Sequence, residues 1–281
     1  MINICYSLGE ISDVAYTKEI SISMRSICEN TKEPLNFFIL LDGTINQSVV
    51  DCALNDFLNV YSNVVGINYI DCVLPDTVRM SEYTLNRFKK ASMFRLCLPS
   101  VLPKIKKIIY LDADVIFDAD IVKLWNMDVD YLGAVYKKLK CPNKNLKCHC
   151  KVENHFCSGI MIMNLEKIRD KIEDLFDVPS ELYTAHWLDQ CILNYWFSDY
   201  ATPLWLYRIY HYDGDFKPNC VVKGKTDFYY WKYVDESKDE IIRKLIELPN
   251  IYTVYESLRM LPLKKIIFIM IKIGIYKIMR K

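Results

Sequence analysis

Few features of this chain stand outside the globular average, and its absences narrow it first. Only 8 glycines and 10 prolines occur in 281 residues, and no repeat or low-complexity block appears, which excludes a mainly disordered or fibrous chain. The 11 cysteines contain no C-x-x-C pair. The start MINICYSLGE lacks both the charged opening and the long apolar stretch of a secretory signal. The cysteines therefore read as reduced thiols in a cytosolic protein. No apolar run approaches the ~20 residues of a spanning helix, because Lys272 interrupts the tail. Nor is one charge in excess: the net is +1, and the tail 261–281 carries six cations and no acid, leaving −5 on the rest. A mildly acidic body offers no broad basic face to a nucleic acid.

What is present suits one large α/β domain. Apolar residues make up 52% and charged residues 25%, enough to bury a sizeable core. The 20 tyrosines are scattered and read as core or half-exposed filling. Strand and helix signals alternate. Ile2 to Ser7 reads as a strand, and 17–29 as a helix with Ile20, Ser23, Met24 and Ile27 on one face. Leu35 to Leu41 reads as a second strand closed by an Asp42-Gly43 turn, followed by a helix over 46–60, a strand over 66–70 and a longer helix around 83–100. This alternation predicts a mostly parallel central sheet flanked by helices, with ligands at the carboxyl ends of the strands.

One such strand end carries chemistry. In KKIIYLDADVIF, Ile108 to Leu111 read as a buried strand, and Asp112 and Asp114 follow at its tip. In an extended segment the two carboxylates project the same way, while Ala113 between them takes no space on that side. Paired carboxylate oxygens suit Mg²⁺ or Mn²⁺, ions that keep positions open for substrate phosphates. The same residues also suit a strand stop or a cap.

The ordered set LNFFILLDG, Phe94-Arg95-Leu96, YLDADVIF, FCSGIMIMNLEKI, LDQCILN and HYDGDFKP resembles glycosyltransferase family 8, whose members include bacterial lipooligosaccharide α-galactosyltransferases and glycogenins. The resemblance spans roughly 3–235 and implies a GT-A fold over 1–235, a UDP-sugar donor, Mn²⁺ (or Mg²⁺) and transfer with retention at the anomeric carbon. It places Asp112, Ala113 and Asp114 at the donor and makes Asp112, Asp114 and His211 the metal ligands. A neutral imidazole completes an oxygen-rich site without adding charge. His211 read alone is a surface histidine in a polar turn. Lys217 then reaches the diphosphate as a point cation, and Gly214 lets the backbone approach it. Arg95 matches an arginine that contacts the donor; read from chemistry alone, it serves equally in an ion pair. Asp13 stands for a uracil contact or a helix cap, and Tyr16 for a stacking ring or a core tyrosine. Ser158 and Gly159 match a donor-binding motif in which Cys157 replaces the usual Asn, and a thiol is a poor substitute for an amide. Asp189 and Gln190 match a pair beneath the sugar, with Asp189 holding hydroxyls and Gln190 near the anomeric carbon; they also suit the start of a helix, with Asp189 as its cap. An amide oxygen is a poor nucleophile, and Cys191 stands where relatives carry an acid, so front-face transfer is expected.

Four readings remain open in the sequence. Cys141, Cys148, His149, Cys150, His155 and Cys157 form either a structural zinc site or a loop of thiols. The segment 236–281 reads as helical and basic, and its Ile266 to Ile271 run with snorkelling lysines suits either attachment to an anionic membrane surface on the cytoplasmic side or a buried closing element. The membrane placement fits a lipid-linked or surface-glycan acceptor. Finally, an apolar strand leading into D-A-D-V also fits a haloacid-dehalogenase-like phosphotransferase with Asp112 as nucleophile. The departures at Cys157 and Cys191 also fit a nucleotide-sugar-binding protein without turnover.

Overall fold

The computed structural model describes residues 1–9, 14–43, 45, 50–51, 54, 56–82, 85, 89–136, 155–185, 187–204, 209–213 and 217–221. Asp13, Gly214, the cysteines from 141 to 150 and the basic tail lie outside them.

The core is a seven-stranded sheet in the order β3-β2-β1-β4-β7-β6-β8. Its strands are β1 (Ile2–Leu8), β2 (Leu35–Asp42), β3 (Val64–Cys72), β4 (Lys107–Leu111), β6 (Leu132–Tyr136), β7 (Phe156–Asn164) and β8 (Thr202–Pro203). From β3 through β4 all pairings are parallel, as the alternating signals predict. β7 runs antiparallel to both β4 and β6, while β6 and β8 pair in parallel, so four of the six pairings are parallel and the mostly parallel reading holds. β4 shows why both faces are covered. Ile108 and Tyr110 join one apolar cluster, Ile109 and Leu111 the other, as a period of two requires. On one face lies the helix Val14–Asn30, with Ile20, Met24 and Ile27 buried against β1 and β2. On the other lie Phe94, Leu96 and the helix Leu188–Phe197, through Leu188, Ile192 and Leu193.

A second, three-stranded sheet, in the order β10-β9-β5, is antiparallel throughout. It consists of β5 (Val115–Phe117), β9 (Ile209–Asp213) and β10 (Lys217–Val221). Because β5 follows the aspartates directly and Val115 pairs with His211, this small sheet delivers the histidine to the tip of β4. HYDGD is therefore not simply a loop: Ile209 to Asp213 form a strand, and His211 is buried rather than on a surface turn.

Two local expectations are corrected. The helix around 83–100 does not run through. Lys89 has φ of 58°, Lys90–Leu96 forms a 3₁₀ segment, and a single α-turn Leu98–Val101 follows with Pro99 in its first positions. A residue in the left-handed region cannot continue a helix, and a proline at 99 removes the N–H that would. The aspartates, moreover, are not in extended backbone. β4 ends at Leu111, Asp112 to Asp114 turn, and the Val115 N–H returns to the Asp112 carbonyl at 3.3 Å.

Candidate active site

The turn, rather than strand alternation, makes the two carboxylates converge. His211 Nε2 lies 3.0 Å from Asp114 Oδ1 and 3.4 Å from Asp112 Oδ2. One ligand atom from each of the three falls within 4.8 Å of the others. The aspartates are partly open to solvent, and the buried imidazole backs them. Burial disfavours a charged His211, but the charge of Asp114 and hydrogen bonds to both aspartates outweigh it, raising its pKa well above the usual range. The Asp112 carboxyl is lowered despite burial, because Arg95 and His211 favour its charged form.

Gly159 makes this convergence possible. Its carbonyl accepts from the Asp112 N–H at 2.8 Å, locking β7 against the turn. A Cβ at this position would stand 2.2 Å from His211 Cε1 and 2.6 Å from Asp112 Oδ2. Its missing side chain is therefore the space in which the imidazole and carboxylate meet. Two hard oxygens, one imidazole nitrogen and a cradle cleared of a Cβ fit a divalent cation.

Beside this cluster lies a buried network organised by Arg95. Its Nη2 donates to Asp112 Oδ1 at 2.8 Å and Nη1 to the Ser158 carbonyl at 2.7 Å. Nε donates to the Ser92 carbonyl at 2.9 Å and stands 3.2 Å from Asp189 Oδ2. The guanidinium lies 4.4 Å above the Tyr110 ring. These contacts are those of an ion pair, one of the two readings of Arg95. Ser158 supports the same network, with Oγ donating to Asp189 Oδ2 at 2.9 Å and its N–H to Gln190 Oε1 at 3.2 Å. Burial pushes the Asp189 carboxyl up to about 6, with Arg95 acting in the opposite direction.

Asp189 and Gln190 open the helix Leu188–Phe197, as expected, but Asp189 is no cap. Its carboxylate turns to Arg95 and Ser158, and the helix has no side-chain cap hydrogen bond. Leu188 has φ of 36°, a conformation costing ~1–3 kcal/mol that sets the angle at which Asp189 enters. With Gln190 Oε1 held by an N–H donor, its Nε2 is buried and has no hydrogen-bond partner among the described residues. Cys191, one position on, sits in the apolar cluster, a setting that suits a thiol and would penalise a carboxylate.

One residue of this region was missed in the sequence. Asn194, fully buried, accepts from the Phe156 N–H and donates to the Phe156 and Gln190 carbonyls, at 2.9, 2.9 and 2.7 Å. It clamps the helix to the start of β7, and its signal was a polar side chain among the buried positions of an apolar helix. Tyr16 lies in the first turn of the helix Val14–Asn30, and Lys217 opens β10 in backbone register with Asp213 of β9; their side chains are outside the described residues. His155 is buried next to β7, and the remaining residues of the cysteine-histidine cluster, Cys157 apart, are outside the description.

The sequence profile described as glycosyl transferase family 8 matches residues 11–219. A putative glycosyltransferase of Haemophilus influenzae is 29% identical over 193 residues, covering 65% of this chain and 56% of that protein. Glycosyltransferase GlyE of Streptococcus pneumoniae is 25% identical over 201 residues, covering 68% of this chain and 44% of that protein. The chain thus spans about half the length of these relatives. The crystal structure of galactosyltransferase LgtC in complex with donor and acceptor sugar analogues superposes with a TM-score of 0.64 at 18% identity, covering 86% of this chain and all of that one. The shared architecture is the GT-A type.

Proposed function

The chain belongs to glycosyl transferase family 8, and from that premise we propose that it moves a hexose, galactose or glucose, from a UDP-sugar to a saccharide acceptor with retention of anomeric configuration. The observation that carries this is the cluster Asp112-Asp114-His211, joined through Arg95 to Asp189 and, by way of Ser158, to Gln190. One end of the site suits a cation against a diphosphate, and the other is a buried set of polar groups that suits a sugar. Family membership and fold remove the dehalogenase-like reading, in which His211 has no role.

Asp112, Asp114 and His211 would hold Mn²⁺ or Mg²⁺, which when bound neutralises the diphosphate as it leaves. Arg95 fixes Asp112 and Asp189 relative to each other, so donor phosphate and donor sugar have a defined separation. Asp189 Oδ2 is occupied by Ser158 and Arg95, leaving its other oxygen for a sugar hydroxyl. Gln190 offers an amide whose oxygen already accepts from Ser158, a poor nucleophile, and an Nε2 donor for a sugar oxygen. These groups suit front-face transfer. The acceptor oxygen bonds to the anomeric carbon on the side from which UDP departs, and its proton goes to the departing phosphate oxygen. Lys217 and Gly214 are assigned to the diphosphate, and Asp13 and Tyr16 to the uridine.

No helix among the described residues is long and apolar enough to cross a membrane. The basic, isoleucine-rich tail is assigned to the cytoplasmic membrane surface, where a lipid-linked or lipopolysaccharide acceptor would be met.

Incubation with a panel of radiolabelled UDP-sugars and Mn²⁺ tests the reading. Metal-dependent transfer or hydrolysis supports it, binding without turnover converts it to a nucleotide-sugar-binding protein, and no binding refutes it. Asp114→Ala is expected to abolish turnover with the fold intact; near-normal turnover in that variant removes the metal argument.

A further inference from the structure

Cys157 occupies the position at which the family resemblance expects an Asn turned to the donor sugar, yet its sulfur is turned elsewhere. Sγ lies 3.9 Å from His211 Nδ1, within the range of a hydrogen bond to sulfur, and both residues are buried. The other ring nitrogen, Nε2, faces the two aspartates. The Cε1–Nδ1 edge lies against β7, where Gly159 leaves room for it. The strand thus grips the ring along one edge and presents the opposite nitrogen to the carboxylates.

From this we infer that Cys157 is a positioning residue for the metal centre: its sulfur accepts from His211 Nδ1–H, so that when a cation displaces the Nε2 proton now shared with Asp112 and Asp114, the neutral ring keeps the tautomer whose Nε2 lone pair faces them. A neutral imidazole has one N–H and one lone pair, and the partner of the first decides where the second points. Histidines that bind metals ordinarily donate their other N–H to such a partner, and losing it lowers metal affinity by about 10–100-fold. The replacement at 157 therefore moves a side chain from sugar recognition to ligand orientation; it does not leave the site broken. The inference rests on the metal reading of Asp112, Asp114 and His211.

The test is Mn²⁺ binding to the full chain without donor, read by electron paramagnetic resonance, together with ¹⁵N NMR of the histidine rings in the Mg²⁺-loaded protein. Cys157→Ala and the near-isosteric Cys157→Val, which both lack an acceptor, are expected to weaken Mn²⁺ binding about 10–100-fold and to mix the His211 tautomers. Cys157→Ser, which keeps an acceptor, is expected to restore the Nδ1–H tautomer and most of the affinity. If Ala should fail to fold, Val carries the same expectation. Wild-type affinity with an unchanged tautomer in either apolar variant overturns the inference. So do equal losses in Ala, Val and Ser with the tautomer unchanged, which mean packing alone. Asp114→Ala separates the two claims: if it binds Mn²⁺ like wild type, the metal reading fails; if it abolishes binding while Cys157→Ala does not, only the role of Cys157 fails.

Discussion

Replacing Gly159 by alanine adds a single methyl at the point where β7 crosses the tip of β4. That methyl would stand 2.2 Å from His211 Cε1, 2.7 Å from His211 Nδ1 and 2.6 Å from Asp112 Oδ2. Non-bonded carbons rest at about 3.5–4.0 Å, so the imidazole must retreat by more than 1 Å or the strand must. Neither moves freely. The Gly159 carbonyl is bonded to the Asp112 N–H, the neighbouring Ser158 carbonyl to Arg95, and His211 is paired with Val115 across β5 and β9. The expected stability loss is that of overpacking, about 1–3 kcal/mol. The functional loss is larger, because ligand groups must be held within about 0.5 Å of the productive arrangement. We expect Gly159→Ala to fold, to bind Mn²⁺ at least about 100-fold more weakly, the upper end of what losing ligand support costs, and to lose donor turnover. Urea denaturation, Mn²⁺ titration by electron paramagnetic resonance and a UDP-sugar hydrolysis assay read the three quantities. Wild-type affinity and turnover in this variant would refute the claim that His211 and Asp112 meet in the space Gly159 leaves.

Three further outcomes follow. Arg95→Met removes the buried cation that holds the buried Asp189 and the partly exposed Asp112 and is expected to cost about 3–5 kcal/mol in urea denaturation; a loss under about 1 kcal/mol, the level of a surface pair, contradicts the network. Asp189, raised from 3.8 to about 6, binds its proton more tightly folded than unfolded. The folded state then carries the extra proton between those values, so stability falls by about 3 kcal/mol as pH rises from about 4 to 6. Asp189→Asn should flatten that slope, and identical slopes in the two proteins refute the assignment. Asn194→Leu leaves the N–H and carbonyl of Phe156 buried without their clamp, each costing about 1–3 kcal/mol; an unchanged melting temperature shows that the clamp is dispensable.

The sheet and its ligand-bearing edge were legible in the sequence because β1, β2 and β4 are short apolar runs ending in polar residues, and β4 alternates cleanly between two cores. The aspartates were legible as a pair, but for the wrong local reason: a turn rather than an extended tip brings them together. The helix around 83–100 failed because periodicity registers the buried face of Met93, Phe94 and Leu96 but not the positive φ at Lys89. Arg95 was visible as a candidate, yet its partners are a turn and a helix distant in sequence, so no spacing announces that it ties Asp112 to Asp189. The role of Gly159 was hidden for the same reason, since a missing Cβ matters only once another strand is known to approach it. Asn194 is the instructive omission, because a lone amide on a buried helix face must find partners and could have been flagged without coordinates.

The charge balance of the site gives the strongest reason to connect its two halves. Asp112 is flanked by Asp114 on one side and, across Arg95, by Asp189 on the other, and among the described residues Arg95 is the permanent cation that touches two of these carboxylates. A single guanidinium cannot neutralise three carboxylates. Burial, with the charge of Asp112 acting in the same direction, pushes Asp189 up to about 6, and the aspartates facing His211 raise it well above its ordinary range. A diphosphate could not approach Asp112 and Asp114 in that state, because like charges would meet at contact distance. A divalent cation held by Asp112, Asp114 and His211 would remove both obstacles, supplying positive charge and giving the proposed diphosphate a partner. Relieving Asp112 in this way also leaves Arg95 more fully available to Asp189, favouring its ionised form. Cation binding should therefore lower the Asp189 pKa, and ¹³C NMR of the Asp189 carboxyl measured with and without Mg²⁺ reads that shift. A titration unmoved by saturating Mg²⁺ shows that Arg95 does not couple the two halves.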